Sequence, residues 1–158
     1  MLPTELIAEI DSVGLFRGLA GRWRQARTLS PGGTYNGEAV LAPIDVTQLH
    51  YEEQGVLTLA NGQRLAASRR YVFALEGGQI GVYFDEQPLR LFHRLDFARI
   101  ADGSFLAKAR HLCGTDDYLS TYAITSDDAF AVTHRVAGPR KAYLMTTDYA
   151  RSRVATPR

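Results

Sequence analysis

The sequence predicts an all-β protein, an antiparallel barrel of about ten strands preceded by one short N-terminal helix. Three observations predict it. Beyond Gly21 the chain reads as short stretches of alternating apolar and polar residues. Turn chemistry separates them at Pro31-Gly32-Gly33, Ala60-Asn61-Gly62, Glu76-Gly77-Gly78, Ala101-Asp102-Gly103, Ser126-Asp127-Asp128 and Gly138-Pro139. Several polar residues share a face with apolar ones, and a closed sheet with polar groups turned inward usually encloses something.

The helix comes first. Thr4 suits an N-cap, Glu5 the first turn, Leu6, Ile7 and Ile10 an apolar stripe, and Gly14 a stop. A helix so short is marginal alone, so it is expected to dock on one end of the barrel. Strands follow at 21–29, 34–42, 46–53, 55–60, 64–75, 79–85, 89–97, 104–112, 117–125, 129–137 and 141–150. Alternation sorts their faces. Trp23, Gln25, Arg27 and Leu29 line up, as do Leu65, Ala67, Arg69, Tyr71, Phe73 and Leu75. Leu89, Leu91, His93, Leu95 and Phe97 oppose Arg90, Phe92, Arg94 and Asp96. Phe105, Ala107, Ala109, His111 and Cys113 share a face, and so do Lys141, Tyr143, Met145, Thr147 and Tyr149. Residues 1–18 form the helical segment, 19–151 the barrel domain and 152–158 a basic, flexible tail.

With 158 residues the chain fits one domain with a sizeable core. A net charge of +1 gives no field that calls for nucleic acid or an anionic membrane. Cys113 is the only cysteine, which excludes an intrachain disulfide and leans towards a reducing compartment. No apolar run has membrane-span length, and acids stand where a signal peptide carries bases. The expectation is a cytoplasmic protein. Arg22, Arg24, Arg90, Arg94, Lys108 and Arg110 fall on outward positions and read as a solvated face.

Gly21-Arg22-Trp23 near the start, with Arg151 and Arg153 after the last strand, resembles the closure of lipocalin-type barrels, where a late arginine covers an inward tryptophan. Further elements join it: Arg27, Tyr51-x-Glu53-x-Gly55, Arg69-x-Tyr71-x-Phe73, Phe92-His93-x-Leu95-Asp96, His111-x-Cys113-x-x-Asp116-x-Tyr118 and Gly138-Pro139-x-Lys141-x-Tyr143. From about Leu19 to Arg151 the chain resembles a family of small bacterial domains of unknown function with a lipocalin-like (calycin) barrel. His134 departs from the aromatic residue that this family carries before the Gly-Pro turn. The resemblance implies a fold and a pocket, and no particular chemistry.

The residues leave several chemistries open. Cys113 as thiolate, with His93 or His111 as base, would be a nucleophile; the plain alternative is a buried thiol beside a hydrogen-bonded histidine. His111 and Cys113 sit two apart on one strand face, roughly 6–7 Å apart at Cβ. His93, His111, Cys113 and Asp116 are metal-ligand types at a spacing of no known zinc signature, so no metal is expected. His93 or His111 as proximal ligand would make a haem-binding barrel. Tyr51, Glu53, Arg69 and Tyr71 look like the equipment of cofactor-free phenolic acid decarboxylases: an arginine to clamp a carboxylate, a tyrosine donor and a desolvated glutamate of raised pKa. The alternative there is a buried ion pair of Glu53 with Arg69 or Lys141. Lys141 stands near the cavity mouth within reach of Asp116. The leading expectation is a module binding a small, anionic, partly aromatic or hydrophobic molecule without a cofactor. Its ligand-binding residues are Arg27, Tyr51, Arg69, Tyr71, His93, Asp116, Tyr118, Lys141 and Tyr143. The runner-up is an acid/base enzyme using Glu53, His111 and Cys113, and the third reading is a structural, homodimerising domain.

Overall fold

The structure is a computed structural model that describes residues 4–153, with side chains from residue 11 onward apart from Cys113. One helix, α1 (Thr4–Leu19), precedes eleven strands: β1 (Gly21–Ser30), β2 (Thr34–Asp45), β3 (Gln48–Thr58), β4 (Arg64–Glu76), β5 (Gln79–Phe84), β6 (Arg90–Leu95), β7 (Ala98–Arg99), β8 (Phe105–Cys113), β9 (Asp116–Ser126), β10 (Ala129–Ala137) and β11 (Ala142–Arg151). All ladders are antiparallel, in the order β6-β5-β4-β3-β2-β1-β11-β10-β9-β8-β7. Strand β6 lies against β8 across a seam that carries no ladder, so the sheet curls into a barrel. No described helix is long and apolar enough to cross a membrane.

The helix runs more than a turn past the stop expected at Gly14. A glycine inside a helix costs only about 1 kcal/mol. Burial of Phe16 and Leu19 against the barrel base offsets that, since a large apolar side chain gains about 1.5–3 kcal/mol on burial. The side chains of Thr4, Leu6, Ile7 and Ile10 lie outside the described residues. Ser12 Oγ ties the helix to Gly78 O at 2.6 Å, and the Trp23 indole donates to Leu19 O at 2.9 Å.

Arg151 closes this end. Its guanidinium lies 4.2 Å from the Trp23 ring centroid. It donates to Gly18 O at 2.6 Å, Ala20 O at 3.0 Å and Asp127 O at 2.7 Å. Gly21 is required here by its φ of +128°, and a Cβ would stand 2.8 Å from Arg151 Nη1 and push the guanidinium aside. One side chain therefore joins the helix end, the indole and the β9–β10 turn. Arg151→Ala should lower stability by about 2 kcal/mol, read by urea unfolding, because it strips several carbonyls of a charged donor. A loss below a few tenths would show that water replaces the arginine without cost. Ser152 N still reaches Arg22 O at 2.8 Å and Arg153 pairs with Asp128 at 3.0 Å. The rest of the expected tail, 154–158, lies outside the described residues.

Three strand expectations change. The stretches 46–53 and 55–60 are the single strand β3. Gly55 does not break it; it faces Gly37 across the β2–β3 ladder beneath the Tyr35 ring, and a Cβ on either glycine would strike that ring or a facing carbonyl. A two-residue strand, β7, follows β6. In β6, Val82 pairs with His93 while Tyr83 pairs with Leu91, so Phe92 is the extra residue of a β-bulge. The bulge turns Phe92 into the barrel beside His93 and leaves Leu89 and Leu91 exposed, against the expected alternation.

Candidate functional site

The barrel has two ends of different character. Around Trp23 it is filled by Leu41, Leu49, Ile80, Leu95 and Phe130, all buried. Nearer the other end, residues on the same inward faces become polar. Strand β1 contributes Gln25 and Arg27, β3 Tyr51 and Glu53, and β11 Thr147 and Tyr149, all nearly inaccessible. Pairing explains how such groups stay buried.

Arg27 meets Glu53 through two parallel hydrogen bonds, Nη1 to Oε2 and Nη2 to Oε1, each 3.1 Å. Arg27 Nε donates to Thr147 Oγ1 at 2.6 Å, and the guanidinium lies 4.5 Å from the Tyr35 ring centroid. Gln25 Nε2 donates to Glu53 Oε1 at 3.1 Å, and Tyr51 Oη donates to the same oxygen at 2.5 Å. The Tyr149 and Tyr51 hydroxyls are 2.7 Å apart, and Tyr35 Oη donates to Gln25 Oε1 at 3.1 Å. The carboxylate thus accepts four hydrogen bonds, about its full capacity. Burial alone would raise the Glu53 pKa, but the bonds and charge of Arg27, with Tyr51 and Gln25, hold it below the ordinary value. Burial and the Glu53 charge push Tyr35 up to about 12; burial also raises Tyr51 and Tyr149, so these phenols remain donors.

This corrects the view of Glu53 as a desolvated acid of raised pKa. Its partner is neither Arg69 nor Lys141 but Arg27, one strand beyond β2. Arg27, expected to meet a ligand, commits its guanidinium to Glu53 and Thr147 in the floor of the cavity, and Tyr51 is part of the same floor.

A second network runs up the opposite wall. His93 Nδ1 is 3.0 Å from Tyr122 Oη, His93 Nε2 is 3.1 Å from Ser120 Oγ, and Ser120 Oγ is 2.6 Å from His134 Nδ1. Burial, then the nearby His134 and His111, holds His93 down to about 3. Burial, then the charges of Arg69 and Arg27, holds His134 down to about 4. Both rings are neutral near pH 7. With both its nitrogens engaged by Tyr122 and Ser120, His93 is neither an open haem ligand nor a free base for Cys113. The Cys113 side chain lies outside the described residues. Among the described residues no group of three or more His, Cys, Asp or Glu is arranged to hold a metal ion.

Between these walls a cavity of about 30 Å³ is lined by Arg27, Glu53, Arg69, Tyr71, Phe92, Tyr122 and His134 among others. That is room for a water or two. Its wall is aromatic: Tyr71 and Phe92 stack at 5.9 Å, Phe84 and Phe92 tilt together at 4.6 Å, and His111 meets Phe92 edge-on at 5.7 Å. His111 also meets Tyr118 edge-on at 6.2 Å, which extends the aromatic surface to the rim.

Arg69 sits on the lip rather than inside. The β4–β5 ladder ends at the Tyr71–Phe84 pair, so at Arg69 β4 has a partner strand on one side only, and the side chain is exposed. No carboxylate among the described residues pairs with it. Leu65, on the same face, projects beyond the barrel and is exposed. Lys141 is exposed and pairs with Asp116 at 3.8 Å. Tyr118, then the neighbouring Asp116 charge, holds the ammonium pKa up. Tyr118 and Tyr143 are half-buried at the same rim. Several outward arginines are paired at the surface, Arg22 with Glu38, Arg94 with Glu76 at 3.3 Å and Arg110 with Asp117 at 2.7 Å.

Tyr51, Glu53, Arg69 and Tyr71, read together from the sequence, line one cavity, while Gln25, Tyr35, Tyr149, Thr147, Ser120 and Tyr122 were not among the expected site residues. Alternation on β1, β2, β9 and β11 was the available signal for them. A larger hollow of about 390 Å³ lies at the helix end between Gly14, Gly18, Phe105 and Ile124. Arg99 on its rim is already paired with Asp11 at 3.5 Å, so polar groups do not converge there as they do at the mouth.

No curated protein matches the chain. Among solved structures it is similar to the S-type phycobiliprotein lyase CPES from Guillardia theta, with 11% identity and a TM-score of 0.61 over 98% of this chain and 100% of that one. It is also similar to EF1p2_mFAP2b, solved bound to DFHBI, with 12% identity and a TM-score of 0.51 over 89% of this chain and 99% of that one. At such identities the likeness concerns the fold alone, and it agrees with the barrel described above. The sequence pattern of one family matches residues 19–151, which contain all eleven strands of the barrel. The chain belongs to that family, the family of unknown function DUF6314.

Proposed function

We propose that this protein binds a small, anionic, partly aromatic molecule at the mouth of its barrel. The observation that carries the reading is Arg69: a cation without a carboxylate partner among the described residues, on the lip of a cavity walled by Tyr71, Phe92 and His134. Arginine offers a planar fork that fits a carboxylate, and the aromatic wall offers stacking surface. Tyr118 and Tyr143 extend that surface, while the Lys141–Asp116 pair borders it without adding net charge. The Arg27–Glu53 network below is a rigid floor. A similar fold holds DFHBI in EF1p2_mFAP2b, which supports a small-molecule ligand.

Ligand pockets commonly span about 300–1,000 Å³, far more than the cavity in this closed arrangement. Binding therefore requires Arg69, Tyr71 and Phe92 to part. The bulge helps here, since the unpaired residue of a bulge is the easiest one in a strand to re-aim.

Titration with benzoate and cinnamate, followed by chemical shifts of the tyrosine and histidine rings, tests the reading. Saturable binding is expected, and Arg69→Ala should weaken it at least tenfold with unchanged thermal stability, because Arg69 is exposed. Failure of both carboxylates to bind, or equal binding by the variant, would remove the proposal.

A further inference from the structure

The histidine chain is not used by the reading above, yet it ends in the same cavity. We infer that Tyr122, His93 and Ser120 orient His134 so that its Nε2–H points as a fixed donor into the mouth, making the preferred ligand group an acceptor-only oxyanion held between His134 and Arg69. The inference rests on the proposed binding function and specifies the chemistry of that site.

The direction of the chain follows from counting hydrogens. Tyr122 is a buried phenol, and its hydroxyl has one acceptor within reach among the described residues, His93 Nδ1 at 3.0 Å. A buried phenol that does not donate leaves its proton unsatisfied, so Tyr122 donates and His93 Nδ1 accepts. A neutral imidazole that accepts at one nitrogen donates at the other. His93 Nε2–H therefore donates to Ser120 Oγ at 3.1 Å. The serine hydroxyl, fully buried, then passes its own proton to His134 Nδ1 at 2.6 Å. His134 must carry its hydrogen on Nε2. That nitrogen bonds no other described group, no buried side-chain nitrogen or oxygen lacks a partner, and His134 lines the cavity. The reverse direction would leave the Tyr122 proton without an acceptor among the described residues.

The outcome is a cavity wall with a donor and no acceptor at this point. Arg69, which lines the same cavity, offers only donors as well. A carboxylate or enolate accepts from both. A primary amide offers both donors one neutral oxygen or turns its N–H to one of them, and an ester offers weaker acceptors. The chain explains why a histidine stands at position 134 opposite Ser120 in the β9–β10 ladder.

Long-range nitrogen–proton correlation spectra of the ligand-free protein at pH 7.5 test the donor assignment without any ligand. Nε2–H tautomers are expected at both His93 and His134; Nδ1–H at His134 overturns it. Benzoate and benzamide then test the ligand class. Benzoate should bind at least tenfold more tightly, and Ser120→Ala, which cuts the chain at a small side chain, should weaken benzoate about five- to tenfold while Arg69 stays in place. Equal affinity for the two probes, or an unaffected Ser120→Ala, overturns the oxyanion assignment. Nε2–H tautomers with no binding of either probe would instead strike the binding function itself and leave the orientation of His134 standing.

Discussion

Arg27→Met is expected to destabilise the protein by about 3–5 kcal/mol, because breaking a buried ion pair leaves the surviving charge without a partner. In this barrel that charge is Glu53, 2% exposed and placed where water cannot replace two guanidinium bonds. The damage spreads, since Tyr51 and Gln25 aim their donors at the same carboxylate. Glu53→Gln should be milder, about 2–3 kcal/mol: an amide of equal shape keeps an oxygen for Arg27 but turns an N–H towards groups that donate to the carboxylate in the native floor. The double change Arg27→Met with Glu53→Leu should recover much of the loss, as apolar replacement of both partners of a buried pair often does. Urea unfolding of the four proteins measures this directly. An Arg27→Met variant that loses less than 1 kcal/mol would show that water reaches Glu53 and that the floor is not sealed.

The same pair shows how far the sequence was legible. Strand faces on β1 and β3 follow from alternation, which placed Arg27 and Glu53 inside. Partner choice does not follow, because it depends on the order of strands around the barrel. With β1, β2 and β3 consecutive, a long arginine reaches over the small Ala39 and Gly37 positions of β2 to a glutamate two strands away. Arg69, directly opposite Glu53 in the β3–β4 ladder, looked the better partner and instead turns to the rim. Phe92 marks a different limit. A bulge adds one residue without changing composition, so period-two counting put Phe92 outside and Leu91 inside; the ladder reverses both. The Trp23–Arg151 closure was legible because Gly-x-Trp and a late arginine are read together, independent of register. The Tyr122–His93–Ser120–His134 chain was not, since its members come from three strands and only their side-chain directions connect them.

Those histidines make acid the condition that should unfold this protein most readily. His93 is held down to about 3 and His134 to about 4 in the fold, against an ordinary value of 6.5. Their stabilising contribution is therefore complete above about pH 6.5 and is lost as pH falls from there towards 4 and then 3, where the unfolded chain takes up protons that the folded one refuses. Each group adds a slope of up to about 1.4 kcal/mol per pH unit in this window. The His134 share should be the smaller, because its ring meets the mouth and its solvent. Glu53, held below its ordinary pKa, adds a further loss in the same direction at pH values below the ordinary carboxylate range. Two slopes together remove about 3–4 kcal/mol between pH 6.5 and 5, a large part of the 5–15 kcal/mol that typical domains possess. Urea midpoints at pH 7.5, 6.5, 5.5 and 4.5 should fall steeply across the last three. His134→Asn, which keeps a short polar group facing Ser120, should flatten the profile by somewhat less than half. Equal midpoints at pH 7.5 and 5.0 would mean that the chain opens to admit protons without unfolding. The buried imidazoles would then be solvated groups rather than the fixed wall of a binding site.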